Sequence, residues 1–385
     1  MTETTAGPAN DKGYRLAPLD GLRAVAVTMV GLSHLLADQP YLVEGGWVGV
    51  TIFFVLSGFL ITSILVDEER ATGTISLRRF YLRRALRLGP ALVSVLAVWV
   101  AVMVVAHRES WFSDIPFGYG PTPTVAENFR SAGLVLAYVW NWFLAFHGSQ
   151  RFGLSQLWSL SVEEQFYLCW PFLLLALMRR GDRSRQAVVL VLCGGSTLLP
   201  LVLWRGGAGR NLIYFGTGTE ALALLIGALI ALAIAPADKP SQPGLHLSRS
   251  TVLGALLVLA LIFLRVNYPT PDSYAVALPA ASLAGGIILL DLVIHPKGAL
   301  GRVLSARGIV WLGRRSYAVY MWGYLWTTWL GELPLVARAP AVAAATLVTA
   351  ELSWRLVEAP ALRAARRFGH GRSVRLAPVP AADHP

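Results

Sequence analysis

Eleven apolar runs, at roughly 17–37, 47–66, 89–106, 131–147, 159–178, 187–204, 212–234, 251–266, 274–294, 316–333 and 340–358, follow one another along the chain, and nothing else constrains its fold so tightly. Each approaches the roughly 20 residues that a helix needs to cross a bilayer. With 55% hydrophobic and 14% charged residues and a mean hydropathy of +0.56, the chain is too apolar for a soluble protein of 385 residues and too sparsely charged for a nucleic-acid binder. It reads as an all-α polytopic membrane protein.

Charge placement decides how many runs cross. Of the 33 Lys and Arg residues, 24 collect near the N-terminus and in 67–88, 179–186, 235–250, 295–315 and the C-terminal tail. Under the positive-inside rule all of these are cytoplasmic. That arrangement requires the region between residues 107 and 158 to make no net crossing, so 131–153, broken by Asn141, His147, Gly148 and Arg151, is expected to be a re-entrant or outer-face element. About ten transmembrane helices result, with both termini inside. The net charge of +11 then reflects orientation and anionic lipid headgroups.

Residues 1–14 form a polar, disordered N-terminus, 15–363 the membrane domain and 364–385 a basic, disordered tail. No cleavable signal peptide is evident. Cys169 and Cys193 lie in apolar runs and read as buried hydrophobes, with no disulfide framework or metal spacing.

Within the first run, LDGLRAVAVTMVGLSHLL, Arg23 and His34 are eleven residues apart. Eleven helical steps bring two side chains back to nearly the same face, about 16 Å apart along the axis. Ionisable groups at membrane depth are costly and usually line a site or pathway. The structural alternative is a snorkelling arginine and a satisfied interior histidine. The stretch GGWVGVTIFFVLSGFLIT carries Gly45, Gly46, Gly49 and Gly58, which favour close helix packing over a direct role in a site.

LRRFYLRRALRLGP ends at Pro90, expected to start the third helix. Arg84 and Arg87 are neighbours on one helix face, flanked by Arg83 and Arg79. Such a fork can hold phosphates by charge-assisted hydrogen bonds, with lipid headgroups as the alternative ligand. In LWSLSVEEQFYLCWP, Ser161 is a candidate cap, and Glu163 and Glu164, followed by Gln165 and Tyr167, suggest a polar cavity. Arg355 and Glu358, in ELSWRLVEAP, are expected to pair in a structural role.

Taken in order, LDGLRAVAVTMVGLSH, GVTIFFVLSGFLIT, FYLRRALRLGP, LWSLSVEEQFYLCWP, GRRSYAVYMW and SWRLVEAP resemble the acyltransferase-3 family of bacterial integral-membrane O-acyltransferases. The resemblance spans about residues 15 to 363. Arg23 and His34 match the family's Arg-x10-His pattern, Arg84 and Arg87 its Arg-x-x-Arg, and Trp158, Ser159 and Glu163 its Trp-Ser-Leu-x-x-Glu. The chain looks like the stand-alone form, without the fused extracytoplasmic hydrolase-like domain of many relatives.

The resemblance implies a multi-pass protein of the bacterial inner membrane that moves an acyl group, commonly acetyl from cytoplasmic acetyl-CoA, to a hydroxyl of a carbohydrate, lipid-linked glycan or glycosylated metabolite. No cofactor is bound tightly and no metal is expected; acyl-CoA is a substrate. His34 would be the general base, an acyl-histidine being the covalent alternative. Glu163 would orient His34 or bind acceptor hydroxyls. Arg23 joins His34 and Glu163 as a catalytic candidate and could also help Arg84, Arg87 and Arg83 hold the donor, while Trp158, Tyr167 and Ser161 are placed towards the acceptor.

Two positions depart from the family pattern: Gly323 stands where a histidine is frequent and Glu220 where an arginine is. A different class, a transporter or flippase of a lipid-linked glycan, would use the same buried charges as a path. An inactive scaffold, suggested only by Gly323, is the third reading.

Overall fold

The computed structural model describes residues 16–39, 42–108, 124–148, 154–177, 179–234, 247–266 and 271–367, and all regular structure among them is helical. The expected disordered N-terminus and most of the expected tail lie outside the described residues. The first helices are α1 (Ala17–Leu35), α2 (Trp47–Thr72) and α3 (Leu77–Arg108). A hairpin follows, α4 (Val125–Leu136) and α5 (Trp140–His147), then α6 (Trp158–Leu177), α7 (Asp182–Arg205), α8 (Arg210–Phe215) and α9 (Thr217–Ile234). The chain continues through α10 (Arg249–Arg265), α11 (Pro271–Ile294), α12 (Ala299–Leu304), α13 (Arg307–Arg314), α14 (Ser316–Trp329) and α15 (Leu335–Ser353). A π-helical turn, Trp354–Glu358, leads into α16 (Ala359–Arg367). Seven stretches are long and apolar enough to cross a membrane by length and composition, so this is a multi-pass membrane protein.

Two ends of the bundle are recognisable from what the helix termini touch. At one end Asp20 accepts from Arg314 Nε at 3.2 Å, Arg185 bonds Glu69 at 2.7 Å and Gln186 reaches Leu232 O at 3.2 Å. The start of α1 and the basic segments 67–88, 179–186 and 295–315 therefore share this basic end. At the opposite end Gly45 N bonds Phe263 O at 2.9 Å, and Arg338 holds Asp38 at 2.7 Å and Leu35 O at 3.1 Å. Helices α1, α2, α3, α6, α7, α9, α10, α11, α14 and α15 run alternately between the two ends, as charge placement anticipates.

The α4–α5 hairpin enters and leaves at the end opposite the basic one. Its turn carries Tyr138 at φ 54°, a left-handed conformation uncommon for a non-glycine residue. Gln165 of α6 holds that turn by donating to Tyr138 O at 2.7 Å and to Asn141 Oδ1 at 2.9 Å. A turn fixed this way needs a side-chain partner wherever water is absent.

Close packing sets the pairing of α2 and α9. A Cβ on Gly58 would lie 1.9 Å from Leu224 O, and one on Gly227 would lie 2.0 Å from Val55 O, so neither position accepts a side chain. The glycines of α2 are packing residues, as their composition suggests.

Three expectations are corrected. Pro90 lies inside α3: the basic stretch and the following apolar run form one 32-residue helix, at the cost of the bond Pro90 cannot donate and of its ring crowding the Leu86 carbonyl. Arg355 pairs with Glu351 one turn back, not with Glu358, because the π turn disrupts the ordinary three-residue spacing. Cys169 is exposed on the bundle surface and Cys193 only half-buried; both are free thiols.

Candidate active site

A cavity of about 320 Å³ opens at the basic end and runs into the bundle between α1, α2, α3, α6, α14 and the π turn. Its apolar wall includes Val50, Phe53, Phe54, Leu60, Ile61, Leu160 and Met321; its polar wall includes Asp20, Arg23, Ser57, Arg84, Arg87, Glu163, Tyr167, Arg314, Tyr320 and Glu358. Helices from opposite ends of the sequence thus converge on one polar face.

At the centre is Glu163. It accepts hydrogen bonds from the hydroxyls of Ser57 and Tyr167. Thr28, Ser94 and Thr349 donate back to carbonyls of their own helices, at 2.7–2.8 Å, as polar residues in apolar helices commonly do. Ser57 instead reaches across to α6. Arg84 lies over the Tyr167 ring, 3.4 Å from its centroid, with Nε 3.2 Å from Glu164 and Nη2 3.9 Å from Glu163. One guanidinium therefore serves two adjacent carboxylates and an aromatic face.

Arg87, one turn further along α3, faces the same cavity but makes no ion pair or hydrogen bond among the described residues. Arg23 stands 3.6 Å from Asp20, which also holds Arg314. The cavity thus contains an engaged cation at Arg84 and an open one at Arg87. An open cation beside an apolar passage is suited to an anionic ligand.

His34 is half-buried near the far end of α1 and is not among the residues lining the cavity. Its ring meets the edge of Tyr324 with centroids 4.8 Å apart, and neither ring nitrogen has a hydrogen-bond partner among the described residues. Tyr320, one turn before Tyr324 on α14, does line the cavity; its hydroxyl is 2.7 Å from Ser159 Oγ and its ring 6.4 Å from that of Phe53. Two consecutive tyrosines on one helix face therefore connect the cavity to His34.

Of the other sequence-derived site residues, Tyr167 lines the cavity while Arg83, Trp158 and Ser161 do not. Arg83 pairs with Glu68 at 3.5 Å. Trp158 is buried among Phe54, Tyr214 and Phe215, with ring centroids 5.0–6.2 Å away, and steadies the start of α6. Ser161 is buried and caps nothing, because α6 begins three residues earlier. Neither Glu220 nor Gly323 lines the cavity; Glu220 is buried at the start of α9, and a side chain at Gly323 would meet Thr346 at an ordinary 3.5 Å. Sequence reasoning missed Ser57, Tyr317, Tyr320, Trp354 and the cavity role of Glu358. Each sits in a quoted motif, but only packing turns it inward.

Comparison with known proteins shows the family of the chain. The acyltransferase-3 family model, described as an acyltransferase domain, matches residues 16–354. The chain is 33% identical over 361 residues to the peptidoglycan O-acetyltransferase OatA of Listeria monocytogenes, covering 89% of this chain and 55% of the relative. It is 35% identical over 369 residues to the putative peptidoglycan O-acetyltransferase YrhL of Bacillus subtilis, covering 90% and 55%. A putative O-acetyltransferase of Staphylococcus aureus is 29% identical over 375 residues, covering 92% and 59%. The chain thus spans little more than half the length of these curated relatives. No solved structure matches it.

Proposed function

Because the chain belongs to the acyltransferase-3 family, we propose that it is a membrane O-acyltransferase, moving an acetyl group from cytoplasmic acyl-CoA to a carbohydrate hydroxyl of the cell envelope. The observation that carries this reading is the cavity at the basic end, where Arg87, without an ion pair among the described residues, stands beside an apolar wall that reaches Tyr320, one turn from the Tyr324 that touches His34. Under the positive-inside rule that end faces the cytoplasm, where acyl-CoA is made. The names of the OatA and YrhL relatives favour a peptidoglycan-type acceptor.

In this reading the donor's phosphates dock on Arg87, with Arg23 and Arg314 beside them, and the pantetheine arm extends along Phe53, Leu160 and Met321. Arg84 organises rather than binds: it holds Glu163 and Glu164, and Glu163 in turn is fixed by Ser57 and Tyr167. The thioester passes Tyr320 to reach His34. A free ring nitrogen of His34 takes the acceptor hydroxyl's proton as the oxygen attacks the thioester carbonyl; the carbon–sulfur bond then breaks and the departing thiolate takes the proton from the imidazolium. An ester and free CoA result.

The test is release of free CoA by the purified chain supplied with acetyl-CoA and a muramyl oligosaccharide. Acceptor-dependent release, abolished in His34→Ala, supports the reading. Acceptor movement across vesicles with no thioester consumed would replace it with transport.

A further inference from the structure

The mouth of the cavity carries two residues that the acyl-transfer scheme leaves unused. Trp354 and Glu358 both line it, and both belong to one π-helical turn, closed by the bond from Ala359 N to Trp354 O. Isolated π turns in otherwise α-helical segments are frequent at functional sites. Here Pro360 supplies a local cause, since it cannot donate the bond that an α-helix would give Leu356 O.

The two side chains differ in what they offer. Trp354 is half-exposed and steadied by Arg315, whose guanidinium lies 5.6 Å from its ring centroid and 4.4 Å from that of Trp311. Glu358 is only 5% exposed, yet its carboxylate has a single hydrogen-bond partner among the described residues, the Ser353 hydroxyl at 3.3 Å. A buried carboxylate with free acceptor capacity is costly unless a donor completes it. An aromatic face beside an acceptor of this kind complements a purine that carries an exocyclic amine. Arg87 lies on α3, against which the π turn packs, so a phosphate on Arg87 leaves the attached nucleoside next to this pair.

We propose that Trp354 and Glu358 form the nucleobase subsite of the donor: the adenine ring stacks on Trp354 and its exocyclic amine donates to Glu358. This rests on the acyl-CoA reading and adds to it a reason for the chain to prefer whole CoA over a shorter thioester. The acyl group plays no part in the subsite.

Equilibrium binding to the purified full chain in nanodiscs tests it, comparing acetyl-CoA, acetyl-4′-phosphopantetheine, which lacks the nucleotide, and the 1,N6-etheno form of acetyl-CoA, which lacks the amine. Trp354→Ala should weaken acetyl-CoA about tenfold, the scale of one lost base stack, and leave acetyl-4′-phosphopantetheine unchanged; Trp354→Phe should stay near the parent. The parent should prefer acetyl-CoA to its etheno form, and Glu358→Met, which has no oxygen to accept from the amine, should lose that preference. Equal weakening of all three ligands by Trp354→Ala would make the tryptophan structural and overturn the proposal, as would a parent that binds acetyl-CoA and acetyl-4′-phosphopantetheine equally. Binding of neither thioester by the parent would fail at the earlier step, removing the donor reading and the subsite together. Because Trp354→Phe and Glu358→Met change little volume, the etheno comparison holds even if Trp354→Ala does not fold.

Discussion

Arg84 and Arg87 have the same charge, lie one turn apart on α3 and line the same cavity, yet removing them should have opposite consequences. Among the described residues Arg87 makes no ion pair or hydrogen bond, so Arg87→Ala breaks no direct contact to a carboxylate and should leave the fold intact. What it removes is a charge-assisted hydrogen bond to the donor, worth roughly 1.5–3 kcal/mol. At about 1.4 kcal/mol per factor of ten, that predicts a rise in KM for acetyl-CoA of about 10- to 150-fold with kcat little changed.

Arg84→Ala does the reverse. It leaves Glu164 and Glu163 without their cation and uncovers the Tyr167 ring in a half-buried setting. Breaking one side of such a pair costs about 3–5 kcal/mol when buried, and somewhat less here because both partners keep some solvent access. The loss should appear as reduced abundance and a lower Tm before any kinetic effect is read, and Arg84→Lys should recover only part of it because lysine cannot span two carboxylates. Measuring Tm and KM on both variants in the same nanodisc preparation separates the cases. If Arg87→Ala is destabilised like Arg84→Ala, or keeps the parental KM, the distinction between an engaged and an open cation is wrong.

Loss of a general base typically costs 10²–10⁴-fold in rate, so His34→Ala should abolish CoA release while retaining acetyl-CoA binding; His34→Gln should be nearly as inactive, and wild-type turnover by either would remove the base from the scheme. Gly58→Ala should impair folding, since its Cβ would stand 1.9 Å from a backbone carbonyl of α9 and overpacking of this kind costs about 1–3 kcal/mol or more; normal yield and Tm would contradict the packing of α2 on α9. In a background with Cys169 and Cys193 replaced, a cysteine at Arg183 should resist an impermeant maleimide added outside intact cells, and labelling there would reverse the proposed orientation.

The all-helical, multi-pass class was legible because hydrophobic runs near bilayer length are signals of the chain itself, independent of which helices touch; of the ten crossings expected, seven meet the length and hydropathy of a span among the described residues. The site was legible only in part. Arg23, Arg84, Arg87, Glu163 and Tyr167 do meet in one cavity, but Ser57 lies in a glycine-rich stretch whose small residues read as packing, and its role depends on α6 arriving opposite. Trp158 and Ser161 belong to the same motif as Glu163 and yet turn into the protein, because an α-helix can aim only part of its circumference at one cavity.

The arginines of α3 show where the boundary falls. As sequence, Arg83, Arg84 and Arg87 are a single basic patch, and helical phase alone brings the last two together. What separates the three is the carboxylate each meets: Glu68 at the basic end of α2 takes Arg83, Glu164 on α6 takes Arg84, and among the described residues none comes within ion-pair distance of Arg87. Those carboxylates come from elements up to 80 residues away in sequence, so no local pattern could assign them. The same holds for Glu358, which spacing pairs with Arg355 and the π turn delivers to the cavity instead. Local periodicity determines which face a charge is on; whether that charge is spent on the fold or left open for a ligand is decided by the partner that tertiary packing supplies.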